Sequence, residues 1–269
     1  LIIPFGPILG MVIVSVMGKA PLWSKFIAVA AFGIITSIIC VILLIDSSHV
    51  DVKKEKSEIK LRDRLSNIYP SPRKYPNYTW GMLTKFFQSV CSAAITYNSV
   101  MLMKRFHYDA QQTASSATIL SLTMMVFIAI SAVSGGVISD KLRKQKPFVI
   151  GSAAVSGIAL AFIAFAPSFT FVWIGMGLMG FGTGMYSAVD AALTARVLPN
   201  KENVAKDLGI INALGASTQS IVPFIGPGLI SIGSWPVFYG VLALSGAISA
   251  GCVVPIPEMS PRAIEETAE

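Results

Sequence analysis

The chain has 269 residues, of which 54% are hydrophobic and only 13% charged, and its mean hydropathy is +0.68. A soluble domain carries roughly 25% charged residues, so this composition excludes an ordinary water-soluble globule and makes lipid the solvent for most of the chain. The formal net charge of +7 fits cations gathered in loops on one side of a membrane. It does not fit nucleic-acid binding, because no aromatic-and-basic recognition motif accompanies it.

Crossing a bilayer core takes about 20 apolar residues per helix. In chain order, apolar runs bounded by charges and Pro/Gly signals predict helices over 1–18, 22–46, 78–104, 114–138, 147–166, 169–197, 206–230 and 235–256. The runs are too long for strands and lack alternation, and a closed barrel needs segments of about ten alternating residues. The expected fold class is therefore all-α, a polytopic membrane protein of about eight transmembrane helices. The first run opens with "LIIPFGPILG", already apolar and without Met, so the chain reads as the later part of a longer protein.

After the second run comes a segment, 46–77, with eight Lys/Arg and five Asp/Glu. Its "VKKEKSEIKLRDRL" suits either a short amphipathic helix on the membrane surface or a solvated loop, and "YPSPRKYP" resists regular structure. The domain organisation expected is two helices over 1–46, a basic linker over 47–77, a six-helix bundle over 78–257 and a tail over 258–269. Placing the linker in the cytoplasm puts sixteen Lys/Arg on that side and four outside, as the positive-inside rule requires. Trp23, Trp80, Trp173 and Trp235 all fall near helix starts, where an aromatic belt belongs. The beginning of the chain, the linker and the C-terminus are thus expected to be cytoplasmic, in a multi-pass protein of the cell membrane. Cys40, Cys91 and Cys252 lie in apolar runs without a CxxC spacing, and His49 and His107 at run edges, so neither a metal site nor a disulfide framework is expected.

The stretch "GGVISDKLRKQK", 135–146, places one acid and four cations between two apolar runs. Gly136, Asp140, Lys141 and Lys144 match the pattern Gly-x-x-x-Asp-(Arg/Lys)-x-Gly-(Arg/Lys)-(Arg/Lys). Arg143 stands where Gly is usual and Gln145 where a cation is usual. With the layout of two helices, linker and six helices, this resembles the major facilitator superfamily. The resemblance implies an incomplete major-facilitator fold, the C-terminal two-thirds of a protein built as six helices, linker and six helices. It also implies that Gly136, Asp140, Lys141, Arg143 and Lys144 form a cytoplasmic latch. Asp140 would face the positive N-terminal end of a helix near Leu1, and the cations would meet acids or anionic headgroups. The alternative is a plain cluster of stop-transfer charges.

Residues 180–230, with "VDAALTARVLP" and "AKDLGIIN", resemble a bacterial branch similar to the glycoside–pentoside–hexuronide and sucrose symporters. "PFGPILG" over 4–10 instead resembles the Gly-Pro-x-x-Gly-Gly signature of proton-driven exporters, with Gly6, Pro7 and Gly10 matching and Met11 in the last place. Sugar-like uptake and efflux both remain open.

Asp190 lies inside a predicted membrane helix, where an acid is costly and marks function. Either it takes and releases a coupling proton, or it pairs with Lys141, Arg143 or Lys144 as part of the latch. Gly175, Gly177, Gly180, Gly182 and Gly184 precede it on the same helix, and Gly180 with Gly184 favours close packing over a bending point. Polar groups near the midplane are candidates for a substrate cavity: Gln88, Tyr97 and Asn98 after the linker, and Asn212 and Gln219 in the seventh run. Lys85 is expected to snorkel to the membrane surface.

The reading is a secondary active transporter moving a small molecule by alternating access, with H+ as the coupling ion and the lipid bilayer as its other partner. No cofactor is expected, since no GxxxxGK(S/T) phosphate cradle is present. No HExxH or Ser/His constellation marks an enzyme. The alternative is a non-transporting membrane scaffold or sensor, or a truncated gene product.

Overall fold

The computed structural model describes residues 17, 21–43, 72–142, 144–199 and 204–257. Among these, every regular element is helical: α1 (Leu22–Leu43), α2 (Pro76–Ser92), a 3-10 turn (Ala93–Tyr97), α3 (Asn98–Arg105), α4 (Ala110–Leu142), α5 (Lys146–Ala164), α6 (Phe169–Val197) and α7 (Val204–Val253). The expected run over 1–18, the signature over 4–10, most of the linker and the tail lie outside the described residues. The chain divides into two compact units, Leu1–Lys60 and Leu61–Glu269. In the first, α1 is apolar on all faces and exposes Trp23, Phe26, Ile34 and Ile38. Its hydroxyls return to its own backbone, Thr36 Oγ1 to Phe32 O at 2.9 Å and Ser37 Oγ to Gly33 O at 2.8 Å.

In the second unit the helix ends follow local chemistry. Pro76 opens α2 and Pro147 the first turn of α5, where a missing N–H costs nothing. α4 starts at a reciprocal cap: Gln112 N donates to Asp109 Oδ1 at 2.7 Å, and Asp109 N donates to Gln112 Oε1 at 3.3 Å. The Arg105 guanidinium covers the C-terminal end of α5, donating to the carbonyls of Ile163 and Ala164 at 3.0 Å and of Ala166 at 2.8 Å. Those are orphan carbonyls at the negative end of a helix dipole. α7 is two arms. Gly233 and Ser234 leave helical geometry, Ser234 with φ of 60°, at the place where the sequence separates 206–230 from 235–256.

α6 is the central helix and packs closely on both α4 and α5. Its glycines make this possible. A Cβ at Gly180 would collide with the carbonyl of Met124, and one at Gly184 with the Ile128 carbonyl and the Ser131 hydroxyl. On the other side, a Cβ at Gly175 would stand 2.6 Å from the Ile163 side chain. The close-packing reading of this glycine run is therefore the one the geometry carries.

Two apolar clusters hold the unit together. One gathers Tyr97, Met101, Met176, Phe238 and Leu242; the other gathers Tyr78, Val149, Val189, Ile211 and Val253. Outside, α4 exposes Ile119, Leu122, Val126, Ile130, Val133 and Val137 at helical spacing, an apolar stripe suited to lipid. Among the described residues, three helices are long and apolar enough to cross a membrane by length and composition, Ala110–Ser139, Lys146–Ala164 and Val204–Val253. The expected count of about eight crossings is not confirmed by these three. The apolar stretch of α1 is only Trp23–Ile39, and a 3-10 turn separates α2 from α3.

Candidate functional site

The site forms where α2, α6 and the first arm of α7 meet. Lys85 Nζ donates to Asp190 Oδ2 at 2.8 Å and to Asn212 Oδ1 at 3.0 Å. The Lys85 and Asp190 side chains keep only 17% and 22% exposure. The stem of Lys85 lies along α7 at Gly215, where an added Cβ would sit 3.7 Å from Cε. The ammonium, which the sequence sends to the membrane surface, is instead held by two side chains from two other helices. Asp190 is bound to Lys85, and Lys141 and Lys144 are exposed without an ion pair to it. Of its two expected roles, pairing with those two cations does not occur; Arg143 lies outside the described residues.

Antiparallel register between α2 and α6 explains the pairing. A Cβ at Gly81 would touch Val197, Lys85 meets Asp190, and Asn98 meets Met176. Lys85 and Asp190 are also the two charges that fall well inside the predicted membrane helices. Each is costly alone, and that cost is visible in the sequence, although their pairing is not.

The five cavity candidates do not converge. Asn212 joins the ion pair and Gln219 is exposed on the same arm, whereas Gln88, Tyr97 and Asn98 are buried within the unit. Asn98 Nδ2 rests 3.3 Å from Met176 Sδ. The Tyr97 hydroxyl donates to the Pro223 carbonyl at 3.0 Å, for a reason visible in the sequence. Pro227 has no N–H, so the carbonyl four residues earlier lacks its helical donor, and Tyr97 supplies one. Gly226 lets the ring approach, since a Cβ there would overlap the phenol. In this geometry Tyr97 and Asn98 make packing contacts within the unit.

Asp207 carries a contact that sequence reasoning missed. It is buried in the first turn of α7 with 2% exposure, and Tyr78 Oη donates to its carbonyl at 2.9 Å. An acid at a helix N-terminus is favoured by the helix dipole, a cue that "NVAKDLG" did contain.

The basic motif closes the turn between α4 and α5. Gly136 has nothing within 4 Å of an added Cβ among the described residues, so packing inside this unit does not require glycine there. Asp140 lies on the last turn of α4, and its side chain falls outside the described atoms. Gln145, in a place where the motif usually has a cation, is buried, and its Oε1 accepts from Arg196 at 2.7 Å. Arg196 also donates to the Pro257 carbonyl, and Lys146 Nζ to the Val254 carbonyl at 2.7 Å. These contacts tie the α4–α5 turn and the end of α6 to the segment that follows α7.

The sequence profile of the Major Facilitator Superfamily matches residues 1–174 and again residues 122–269. The chain belongs to this superfamily, whose members are membrane transporters. No curated protein matches it closely enough to count as a relative.

Proposed function

We propose that the chain is a secondary active transporter working by alternating access, coupled to H+, with Lys85, Asp190 and Asn212 as its coupling site. The observation that carries the proposal is the ion pair between Lys85 and Asp190, braced by Asn212 and set among apolar helices. A proton on Asp190 removes the attraction to Lys85 while Lys85 keeps its bond to Asn212. α6 is then released from α2 and α7, and a shift of that kind is the two-state element that a coupled ion must bias. Gly136, Asp140, Lys141, Arg143 and Lys144 are proposed as the latch on the cytoplasmic side, the side set by the cation count along the chain. On this reading the protein is a multi-pass protein of the cell membrane. The likeness of residues 180–230 to sugar symporters favours a glycoside-like substrate, and the signature over 4–10 favours export.

Flux in proteoliposomes under an imposed pH gradient, with a panel of glycosides and lipophilic cations, tests the proposal. Movement of one compound above protein-free liposomes, abolished by a protonophore, is the expected result. Flux that ignores the gradient would remove the coupling. No flux for any compound would favour a non-transporting scaffold.

A further inference from the structure

Four buried side-chain atoms on α2, α5 and α6 have no hydrogen-bond partner among the described residues: both amide atoms of Gln88, Ser156 Oγ and Thr183 Oγ1. Beside them the Tyr186 hydroxyl and the Asp190 carboxylate interact with each other one turn apart on α6. They are not scattered. On α2, Gln88 lies between Tyr78 of one apolar cluster and Cys91 of the other. On α5, Ser156 lies between Val149 and Ala159, and on α6, Thr183 lies between Met179 and Tyr186, again members of different clusters. The register that joins Lys85 to Asp190 and Asn98 to Met176 sets Gln88 level with Tyr186. Ser156 is level with Gly182, where an added Cβ would sit 2.5 Å from Ser156 Oγ. Thr183, Tyr186 and Asp190 follow one another at helical spacing along one face.

Buried polar groups are paired in folded proteins, and each orphan removes stability that a marginally stable fold cannot spare four times over. A polar layer between two apolar cores, with donors and acceptors on three helices, offers the polar partners that internal water bonds to. We infer that the layer of Gln88, Ser156 and Thr183, bordered by the Tyr186 hydroxyl, is a water-binding site inside the second unit. The inference stands on burial and register and does not depend on coupling to H+.

Radiolytic hydroxyl labelling of the full chain in lipid nanodiscs, read by mass spectrometry, tests it, because radicals form on bound water. Tyr186 and Tyr97 are matched probes with 8% and 6% exposure. The Tyr97 hydroxyl has a backbone partner and its ring packs 4.6 Å from that of Phe238, within an apolar cluster. Tyr186 should label at least about ten-fold faster than Tyr97, and Gln88→Met should slow Tyr186 several-fold while leaving Tyr97 unchanged. Equal rates at the two tyrosines, or a Tyr186 rate indifferent to Gln88→Met, would overturn the site. Should Gln88→Met fail to fold, Ser156→Ala is read in the same way.

Discussion

Removing either member of the Lys85–Asp190 pair leaves the other's charge among apolar helices. Asp190→Asn and Lys85→Gln should each destabilise the protein by about 1–3 kcal/mol. That is below the cost of breaking a fully buried pair, since both side chains keep some contact with solvent. The double variant should recover part of the loss, because no lone charge remains. Thermal unfolding of the two single variants and the double variant measures this, and additive losses would mean that the pair is not coupled. Tyr97 allows a second cycle. Tyr97→Phe should cost about 1 kcal/mol by stranding the Pro223 carbonyl, and less in a Pro227→Ala background, where the helical donor returns. An equal cost in both backgrounds would show that the hydroxyl is not satisfying that carbonyl.

At the scale of the helix, glycine matters where two backbones approach and not elsewhere. Gly184→Leu should destabilise by roughly 3 kcal/mol or more through overpacking against α4, while Gly136→Ala should stay within about 0.5 kcal/mol. A denaturation midpoint in detergent that falls equally for both would contradict the packing of α6. Helix positions were readable from the sequence because a long apolar run flanked by charge has few other solutions in lipid. The break in α7 was readable too, because "SIGSWP" joins Gly, Ser and Pro. The start of α4 was placed four residues late, at 114 in place of Ala110, because the Asp109/Gln112 cap went unread. The 3-10 turn over Ala93–Tyr97 left no signal in "AAITY", since that turn is set by packing of the unit. Lys85 and Asp190 were each visible as costly residues, but their pairing was not. Apolar periodicity gives the face of a helix, and only the antiparallel register of α2 with α6 says which face meets which.

For the molecule as a whole, superfamily membership and the apolar exterior agree, and under the proposed coupling to H+ the charge pair is the place where proton binding alters helix contacts. Arg196, Gln145 and Lys146 bind the ends of α6 and α5 to the segment after α7, so this end of the unit should move as one body when α6 shifts. Cross-linking two of these segments should therefore leave flux within about two-fold, whereas cross-linking α2 to α6 beside Lys85 should reduce it by about ten-fold or more. The most direct measurement compares two fluxes in Asp190→Asn proteoliposomes: accumulation driven by a pH gradient, and exchange of labelled for unlabelled substrate at equilibrium. The account predicts that accumulation falls by about ten-fold or more while exchange stays within about two-fold, because the carrier still rocks but no longer carries the proton. Accumulation at the wild-type level in Asp190→Asn would contradict it.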